Sequence, residues 1–221
     1  MNVPQLDVKI SLEYLKKHGA YLENGHYVLT GGDHSPWYFN LRRLAGHTQW
    51  LDGVSERLYY LLGSDIDVYI GAGSLGQALS MLTATWSPHS PGIWCDIDTR
   101  GCEKRAVFDP KLSHFGNLLH DKRVAIVDDT LATGETLRQV TALVEQHHGQ
   151  VVSAATIVDR SQDLSAKEYG VPEVHSLLSI DGIRTYPPDE CPQCLAKKPI
   201  NLRPGHGERW LRKNSAYPQA L

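Results

Sequence analysis

The feature that most constrains the fold is the segment from Val124 to Thr136, which has the sequence VAIVDDTLATGET. Its first four residues are apolar and three of them are β-branched, which is typical of a short strand buried on both faces. Two carboxylates, Asp128 and Asp129, follow directly, and small residues come next. A helix is then predicted from apolar residues at helical spacing, namely Leu137, Val140 and Val144. The sequence therefore places two acids where a buried strand ends, just before a helix.

This order of parts suits a phosphorylated sugar. Backbone N–H groups at a helix N-terminus bind phosphate, helped here by the hydroxyls of Thr133 and Thr136, and Gly134 lets the backbone approach closely. Adjacent carboxylates can accept hydrogen bonds from neighbouring sugar hydroxyls. The alternative is an ordinary strand–turn–helix unit with Asp residues as turn formers and caps, but the length of the full pattern favours a binding site. No Gly-Lys-Ser/Thr follows the glycine, which argues against a nucleoside-triphosphatase.

The segment resembles the phosphoribosyl-pyrophosphate (PRPP) motif of type I phosphoribosyltransferases. The resemblance implies that PRPP is bound by Asp128, Asp129, Thr130, Leu131, Ala132, Thr133, Gly134, Glu135 and Thr136. A second predicted strand, Val68–Ile70, leads into a glycine-containing loop over residues 71–76. The backbone of that loop fits the pyrophosphate group of PRPP through Ala72, Gly73, Ser74, Leu75 and Gly76, although such turns are often only tight connections.

Composition excludes several classes of protein. The 221 residues carry a formal net charge of −3, so no basic field for nucleic acid is expected. No apolar run approaches the roughly 20 residues needed to cross a bilayer, and the N-terminal residues lack the features of a signal peptide. Four cysteines are too few for a disulfide scaffold of this size. We therefore expect no membrane or nucleic-acid partner and a cytoplasmic location.

Strands that alternate with helices predict an α/β fold with a central parallel sheet flanked by helices. The predicted helices are Leu6–His18, ended by Gly19, then Trp50–Leu62, a helix running to about Trp86, and one ending near Gly149. Besides the two strands above, strands are predicted at Gly92–Cys95, Val151–Val158 and Val174–Ile180, with a hairpin over Tyr21–Leu29 and a polar, irregular segment over Thr99–Asn117. Ligands bind at the carboxyl ends of such strands, so the loops there should converge on one cleft.

Two further segments make the chain similar to orotate phosphoribosyltransferases. They are the residues from Leu29 to Asn40 and the tripeptide Val158-Asp159-Arg160. The resemblance implies the type I phosphoribosyltransferase fold, with a domain over 1–183 that includes an N-terminal hood over about residues 1–45, and a tail or flap without its own core over 184–221. It also implies that Tyr38 or Phe39 stacks on the base and that Arg160 binds the orotate carboxylate. A guanidinium fork suits a planar carboxylate, but core packing of the aromatics and a surface ion pair for Arg160 stay open.

Orotate enzymes carry a mobile basic loop that closes over the pyrophosphate, commonly from the neighbouring subunit. The corresponding segment here is Asp98–Lys111, in which the basic residues are spaced differently. Lys104 and Arg105 are the first candidates for the catalytic cations, and Arg100 is next. A solvated charged hairpin is an equal alternative.

The resemblance implies transfer of ribose 5-phosphate from PRPP to orotate, giving orotidine 5′-monophosphate and pyrophosphate. Asp128 and Asp129 would hold the ribose hydroxyls beside the developing cation, and Mg²⁺ would be bound mainly through PRPP. A homodimer is expected on the resemblance alone. Two alternatives remain: a transferase for another base, such as a purine or a modified pyrimidine, and an inactive PRPP- or nucleotide-sensing protein.

Cys191 and Cys194 have the CxxC spacing of half a zinc site. A closed site needs two more ligands, and only His206 lies nearby downstream. Reduced structural thiols are therefore favoured over zinc.

Overall fold

The computed structural model describes residues 9–99, 104–161, 169–215 and 217. Its strands are β1 (Tyr21–Leu22), β2 (Tyr27–Val28), β3 (His34–Ser35), β4 (Tyr38–Phe39), β5 (Val68–Ala72), β6 (Gly92–Asp98), β7 (Arg105–Val107), β8 (Arg123–Leu131), β9 (Gln150–Asp159) and β10 (Val174–Ser179). Its α-helices are α1 (Leu12–Lys17), α2 (Thr48–Leu62), α3 (Gly73–Thr85), α4 (Glu135–Gln146), α5 (Pro192–Leu195) and α6 (Gly207–Lys213). Segments of 3-10 helix cover Leu41–Leu44 and Pro110–Leu118.

The described residues form two compact units. The sheet unit contains those among 9–10 and 44–180, and the terminal unit contains those among 11–43 and 181–217. None of the described helices combines the length and the apolarity needed to cross a bilayer.

A six-stranded sheet in the order β10-β9-β8-β5-β6-β7 forms the centre of the sheet unit. The strands from β10 to β6 are parallel, and β7 runs antiparallel to β6. The apolar run Val124–Val127 of β8 lies in the middle of this sheet and is fully buried, because neighbouring strands pair with both of its edges. The predicted α/β fold with a central parallel sheet is confirmed.

Helices cover this sheet. Helix α3 packs on β5 and β6, α2 packs on β9 and β10, and α4 packs on β7 and β9. The positions predicted to form the apolar face of α4 are buried in the core, namely Leu137, Val140 and Val144. Burying a side chain of this kind contributes about 1.5–3 kcal/mol, so the α4 face fixes the helix that follows the acidic pair.

The terminal unit joins the two ends of the chain. Strand β1 pairs with β4 and β2 pairs with β3, both antiparallel. From the C-terminal side, Ile200 and Leu211 pack against Val28 of β2. The buried residues of the tail therefore pack together with a residue from the N-terminal part of the chain. The domain boundary predicted at residue 183 stays a prediction.

Three local predictions were wrong. The hairpin expected over Tyr21–Leu29 does not form, because β1 pairs with β4 and β2 pairs with β3, although Asn24 does adopt the left-handed turn conformation with φ 60°. The described part of Thr99–Asn117 is not wholly irregular, since it contains β7 and most of the 3-10 segment in which Phe115 is buried. Helix α1 begins after Ser11, whose hydroxyl accepts a hydrogen bond from the Tyr14 N–H at 3.2 Å, so residues 9–11 of the predicted helix are not helical, and its residues 6–8 lie outside the described residues. The predicted end at Gly19 is confirmed.

Candidate active site

The acidic pair lies at the carboxyl end of β8. Asp128 is 8% exposed and Asp129 is half-buried, and the Asp129 N–H donates to Asp128 Oδ1 at 2.8 Å. Successive residues of a strand point to opposite faces, so the two carboxylates leave the strand in different directions. Asp128 also pairs in register with Thr156 of β9. The pair is thus held by the sheet and not by a mobile loop.

A tight turn connects this strand to α4. Thr130 and Leu131, expected in the binding loop, belong to β8, and Leu131 is 2% exposed, so its side chain faces the core. Gly134 has φ 70°, a left-handed conformation that favours glycine, and a Cβ there would lie 2.0 Å from Tyr169 Cδ1. The turn therefore requires glycine for two separate reasons.

The N-terminus of α4 presents amides. The first backbone bond of the helix runs from the Arg138 N–H to the Gly134 carbonyl at 3.0 Å. The N–H groups of Glu135, Thr136 and Leu137 consequently have no acceptor within the helix, as in any helix start. Thr133 is exposed and Thr136 is half-buried. These amides and hydroxyls, together with the positive end of the helix dipole, can bind a phosphate group.

The second glycine segment differs from the predicted loop. Strand β5 continues to Ala72 and α3 begins at Gly73, so residues 73–76 form the first turn of a helix. A Cβ on Gly71 would lie 1.9 Å from the Gly76 carbonyl oxygen, so this glycine permits close contact between strand and helix. Leu75 is 3% exposed and packs inward. The backbone amides of this turn, together with the exposed hydroxyl of Ser74, can bind an anion, as the corresponding groups can at the start of α4.

Strand register brings these segments to one edge of the sheet. Gly71 pairs with Val127, so Ala72 and Asp128 follow on neighbouring strands. Cys95 pairs with Ala72 at the same edge. Burial, with the charges of Asp128 and Asp96, raises the pKa of the Cys95 thiol to about 12, so this thiol is protonated and is no nucleophile near neutral pH.

Arg160 lies at the same edge, just after β9. Its N–H donates to the Leu131 carbonyl at 2.9 Å, and Asp159 pairs in register with Leu131. Arg160 is half-buried. The structure therefore brings together the end of β8, the start of α3 and Arg160, as the sequence predicted for the strand ends.

The aromatic candidates belong to the terminal unit. Tyr38 and Phe39 are consecutive residues of β4, are half-buried and point to opposite faces of that strand. The ring of Tyr38 packs against Tyr27 with centroids 5.5 Å apart, and Phe39 packs against Tyr21 at 4.8 Å. Both rings therefore have a packing role, and one flat ligand could stack on only one of them.

The basic loop is a β-hairpin where the structure describes it. Arg105 begins β7, is exposed and pairs in register with Asp98. Lys104 precedes it and is half-buried, whereas Arg100 lies outside the described residues. A charged hairpin over this segment was the alternative interpretation of the sequence. A catalytic role for Lys104 and Arg105 stays a prediction.

Comparison with protein families supplies the decisive observation. The model of the phosphoribosyl transferase domain matches residues 76–189, which is more than half of the chain and includes β8, the acidic pair and α4. The chain belongs to the phosphoribosyltransferase family. It is therefore a transferase.

Individual relatives agree with this phosphoribosyltransferase assignment. An orotate phosphoribosyltransferase of Thermotoga maritima is 30% identical over 194 residues, which cover 87% of this chain and 96% of the relative. Among solved structures, that of orotate phosphoribosyltransferase from Aeropyrum pernix matches with a TM-score of 0.55 and 23% identity, covering 76% of this chain and 92% of the other. The adenine phosphoribosyltransferase of Rhodothermus marinus matches with a TM-score of 0.51 and 21% identity, over 76% and 98%. The two structures share the fold with this chain.

One positively charged residue near the start of α4 in this phosphoribosyltransferase was not predicted from the sequence. Arg138, in the first turns of α4, donates through Nη2 to the Thr133 carbonyl at 2.9 Å and lies 3.3 Å from Glu135 Oε2. It thus places a positive charge beside the turn that precedes α4 and offsets the charge of Glu135. The i,i+3 spacing of the two residues was the available signal.

Proposed function

We propose that this phosphoribosyltransferase transfers the ribose 5-phosphate group from PRPP to orotate, forming orotidine 5′-monophosphate and pyrophosphate. The observation that carries the proposal is the pair of carboxylates at the end of β8, directly before the amide-presenting start of α4. The Thermotoga maritima relative, named for orotate, supports the choice of base.

In this proposal PRPP is held by its three charged or polar parts. The ribose hydroxyls donate to Asp128 and Asp129, and the 5′-phosphate accepts from the amides and hydroxyls of residues 132–136. The pyrophosphate accepts from backbone amides of residues 72–76 at the start of α3. Breaking the anomeric C–O bond develops positive charge on the sugar, which the carboxylates stabilise.

Magnesium fits the donors at this edge of the sheet. The carboxylate oxygens of Asp128 and Asp129 are ligands of the type that Mg²⁺ prefers, although PRPP and water would hold most of its coordination sites. When bound, Mg²⁺ neutralises charge on the pyrophosphate. Lys104 and Arg105 would stabilise the same leaving group from the hairpin and limit access of water.

The base would be recognised by charge and by a flat surface. The Arg160 guanidinium would bind the orotate carboxylate with two hydrogen bonds, and either Tyr38 or Phe39 would stack on the ring. A purine base is the second candidate, because the fold matches the Rhodothermus marinus adenine enzyme about as well as the Aeropyrum pernix orotate enzyme. The similarity of fold therefore favours neither orotate nor adenine as the base.

Pyrophosphate release from PRPP, measured with orotate, uracil and adenine in parallel, tests this function. We expect turnover of orotate and hardly any of uracil, which is the same ring without the carboxylate. Equal rates with orotate and uracil, or turnover of adenine alone, would contradict the choice of base but leave the PRPP site standing. Binding of PRPP without turnover of any base would instead favour a sensor.

Quaternary structure and location follow from the same proposal. We expect a homodimer, since related enzymes complete each site with a neighbour's loop, and a cytoplasmic location. Light scattering at micromolar concentration checks the first, and a fully active monomer would contradict it.

A further inference from the structure

Four metal-ligating side chains meet in the terminal unit. They are His26, His34, Cys191 and Cys194, and one ligand atom from each lies within 4.8 Å of all the others. The first three are buried and Cys194 is half-buried. More than 150 residues of sequence separate the histidines from the cysteines. In the sequence alone, reduced thiols are favoured over zinc because no second pair of ligands lies near the two cysteines.

The distances fit one small cation. His26 Nε2 lies 3.6 Å from Cys191 Sγ and 3.5 Å from Cys194 Sγ, and His34 Nδ1 lies 3.2 Å from Cys194 Sγ. The two ring nitrogens are 2.9 Å apart. Tetrahedral zinc, with Zn–S and Zn–N bonds of about 2.3 and 2.0–2.1 Å, separates its ligand atoms by roughly 3.3–3.8 Å. The sulfur–nitrogen distances match this range within a few tenths of an ångström, and a bound ion would move the two imidazoles slightly apart.

Hydrogen bonds orient the first histidine for ligation. His26 Nδ1 lies 2.8 Å from the Lys198 carbonyl oxygen, which can only accept, so the proton is on Nδ1 and the lone pair is on Nε2. Metal-binding histidines are commonly held by such a bond from their second nitrogen. The His26 backbone is fixed by Asn201, whose side chain accepts from its N–H at 2.6 Å and whose own N–H donates back at 2.9 Å.

The second histidine, His34, is likewise held by residues from the C-terminal part of the chain. His34 exchanges two backbone hydrogen bonds with Tyr186, at 2.8 and 2.9 Å, and its ring lies edge-on to Trp210 with centroids 4.9 Å apart. Among the described residues, His34 Nε2 is buried and has no hydrogen-bond partner. The Nδ1 of the same ring faces Cys194 Sγ and His26 Nε2, so the nitrogen that points into the cluster is the one available to bind a metal.

We propose that these four side chains bind a structural Zn²⁺ ion. Two sulfur and two nitrogen ligands in a tetrahedral arrangement are typical of zinc, and four protein ligands leave no open position for chemistry. Cys191 and Cys194 are free thiols and so are available as ligands. The ion ties His26, directly before β2, and His34 of β3 to Cys191 and Cys194 at the start of α5, far away in sequence.

Such a link has a clear benefit for this unit. The apolar cluster of Val28, Ile200 and Leu211 is small, so a bound metal would add to the stability of this part of the unit. Because the four ligands come together only in the folded unit, zinc binding stabilises the folded state directly.

Elemental analysis of the full-length chain, purified without added metal, chelator or metal-binding tag, tests the proposal. We expect about one equivalent of zinc per chain, falling below about a tenth of an equivalent in Cys194→Ser and in His34→Ala. His206→Ala is the matched control, because His206 is exposed, lies in the same unit and contacts Thr30 Oγ1 at 3.2 Å instead of the cluster. It should retain the full amount of zinc.

Cobalt provides a second measurement that does not depend on the variants folding. Chelator-treated wild-type chain, shown to be folded by circular dichroism, should bind Co²⁺ with the strong visible absorption of tetrahedral cobalt and a thiolate charge-transfer band. Wild-type chain that contains no zinc and gives no such spectrum would overturn the proposal, as would a Cys191–Cys194 disulfide in freshly purified protein. Equal zinc in Cys194→Ser and His206→Ala would overturn it too. None of these readouts depends on PRPP or on the base.

Discussion

In the sheet unit, a large apolar core lies between parallel strands and α4, whereas in the terminal unit Val28, Ile200 and Leu211 form a small cluster near two histidines and two cysteines. The candidate PRPP site of the sheet unit comes largely from one continuous segment, residues 128–136. The proposed zinc site takes its ligands from both ends of the chain. A local site leaves its whole pattern in the sequence, whereas a site assembled by tertiary contacts leaves only a part, here the spacing of Cys191 and Cys194.

The largest expected effect tests the contrast between the two cores. Ile126→Ala, at a fully buried position of β8, should lower the free energy of unfolding towards the upper end of about 2–5 kcal/mol, because paired strands on both sides prevent collapse around the cavity. Ile200→Ala in the terminal unit should fall towards the lower end of that range, since fewer apolar neighbours surround it. Urea denaturation measures both. Equal losses would show that the two cores do not differ as described.

Recognition of the base is the next largest effect and is assigned to the sheet unit. Arg160→Ala should lower kcat/KM for orotate by about 10- to 150-fold, equivalent to about 1.5–3 kcal/mol, because a charge-assisted pair is lost. PRPP affinity should stay the same. Steady-state kinetics and calorimetry measure the two quantities. Arg123→Ala is the control, since Arg123 lies at the start of β8, where it pairs with Asp65. An equal loss in both variants would rule out specific recognition by Arg160.

Binding of PRPP is expected to depend on Mg²⁺ and on the acidic pair, Asp128 and Asp129. Asp128→Asn/Asp129→Asn should weaken PRPP affinity in the presence of Mg²⁺ by at least about tenfold, or about 1.4 kcal/mol, because the amides accept hydrogen bonds less strongly and cannot attract a cation. Calorimetry measures the affinity, and Asp65→Asn, at the exposed amino edge of the sheet, serves as control. Unchanged affinity in the folded double variant would remove the PRPP site from β8. Zinc content should not change.

The smallest effect concerns a helix start in the terminal unit. Ser11→Ala removes the hydroxyl that accepts from the Tyr14 N–H and should lower the free energy of unfolding by about 1 kcal/mol. Ser11→Asp keeps a cap and should cost little. Urea denaturation of both variants gives the comparison. If Ser11→Ala and Ser11→Asp were equally destabilised, the loss would come from something other than the cap.

Much of the fold was predictable because its signals are local. The apolar run Val124–Val127 is buried as a central strand, and the helix over Trp50–Leu62 is observed as α2. The spacing of apolar residues and the presence of β-branched residues indicate such elements within a few positions of sequence. The order of strands and helices then gave the parallel sheet, because short right-handed crossovers leave few other arrangements. From this, the meeting of β8, α3 and Arg160 at one edge followed.

Two of the predictions that were wrong concern contacts between different elements. Asn24-Gly25 has the composition of a hairpin turn, yet β1 pairs with Phe39 and Tyr38 instead of with β2, because pairing is decided by packing across the whole unit. Gly71 was expected in a phosphate loop, whereas its main constraint is the backbone of Gly76 in the next helix. Neither contact has a signature in the residues that flank it.

The sequence by itself determined the buried strands, the acidic pair at the end of one of them and the helix that follows, because each depends on residues only a few positions apart, and the order of these elements then indicated the parallel sheet. Tertiary structure alone decided that His26 and His34 lie against Cys191 and Cys194, and that the two ends of the chain share one unit. The physical reason is that the sequence gives the type of each side chain, whereas the distances between ligand atoms are set only when the backbone folds.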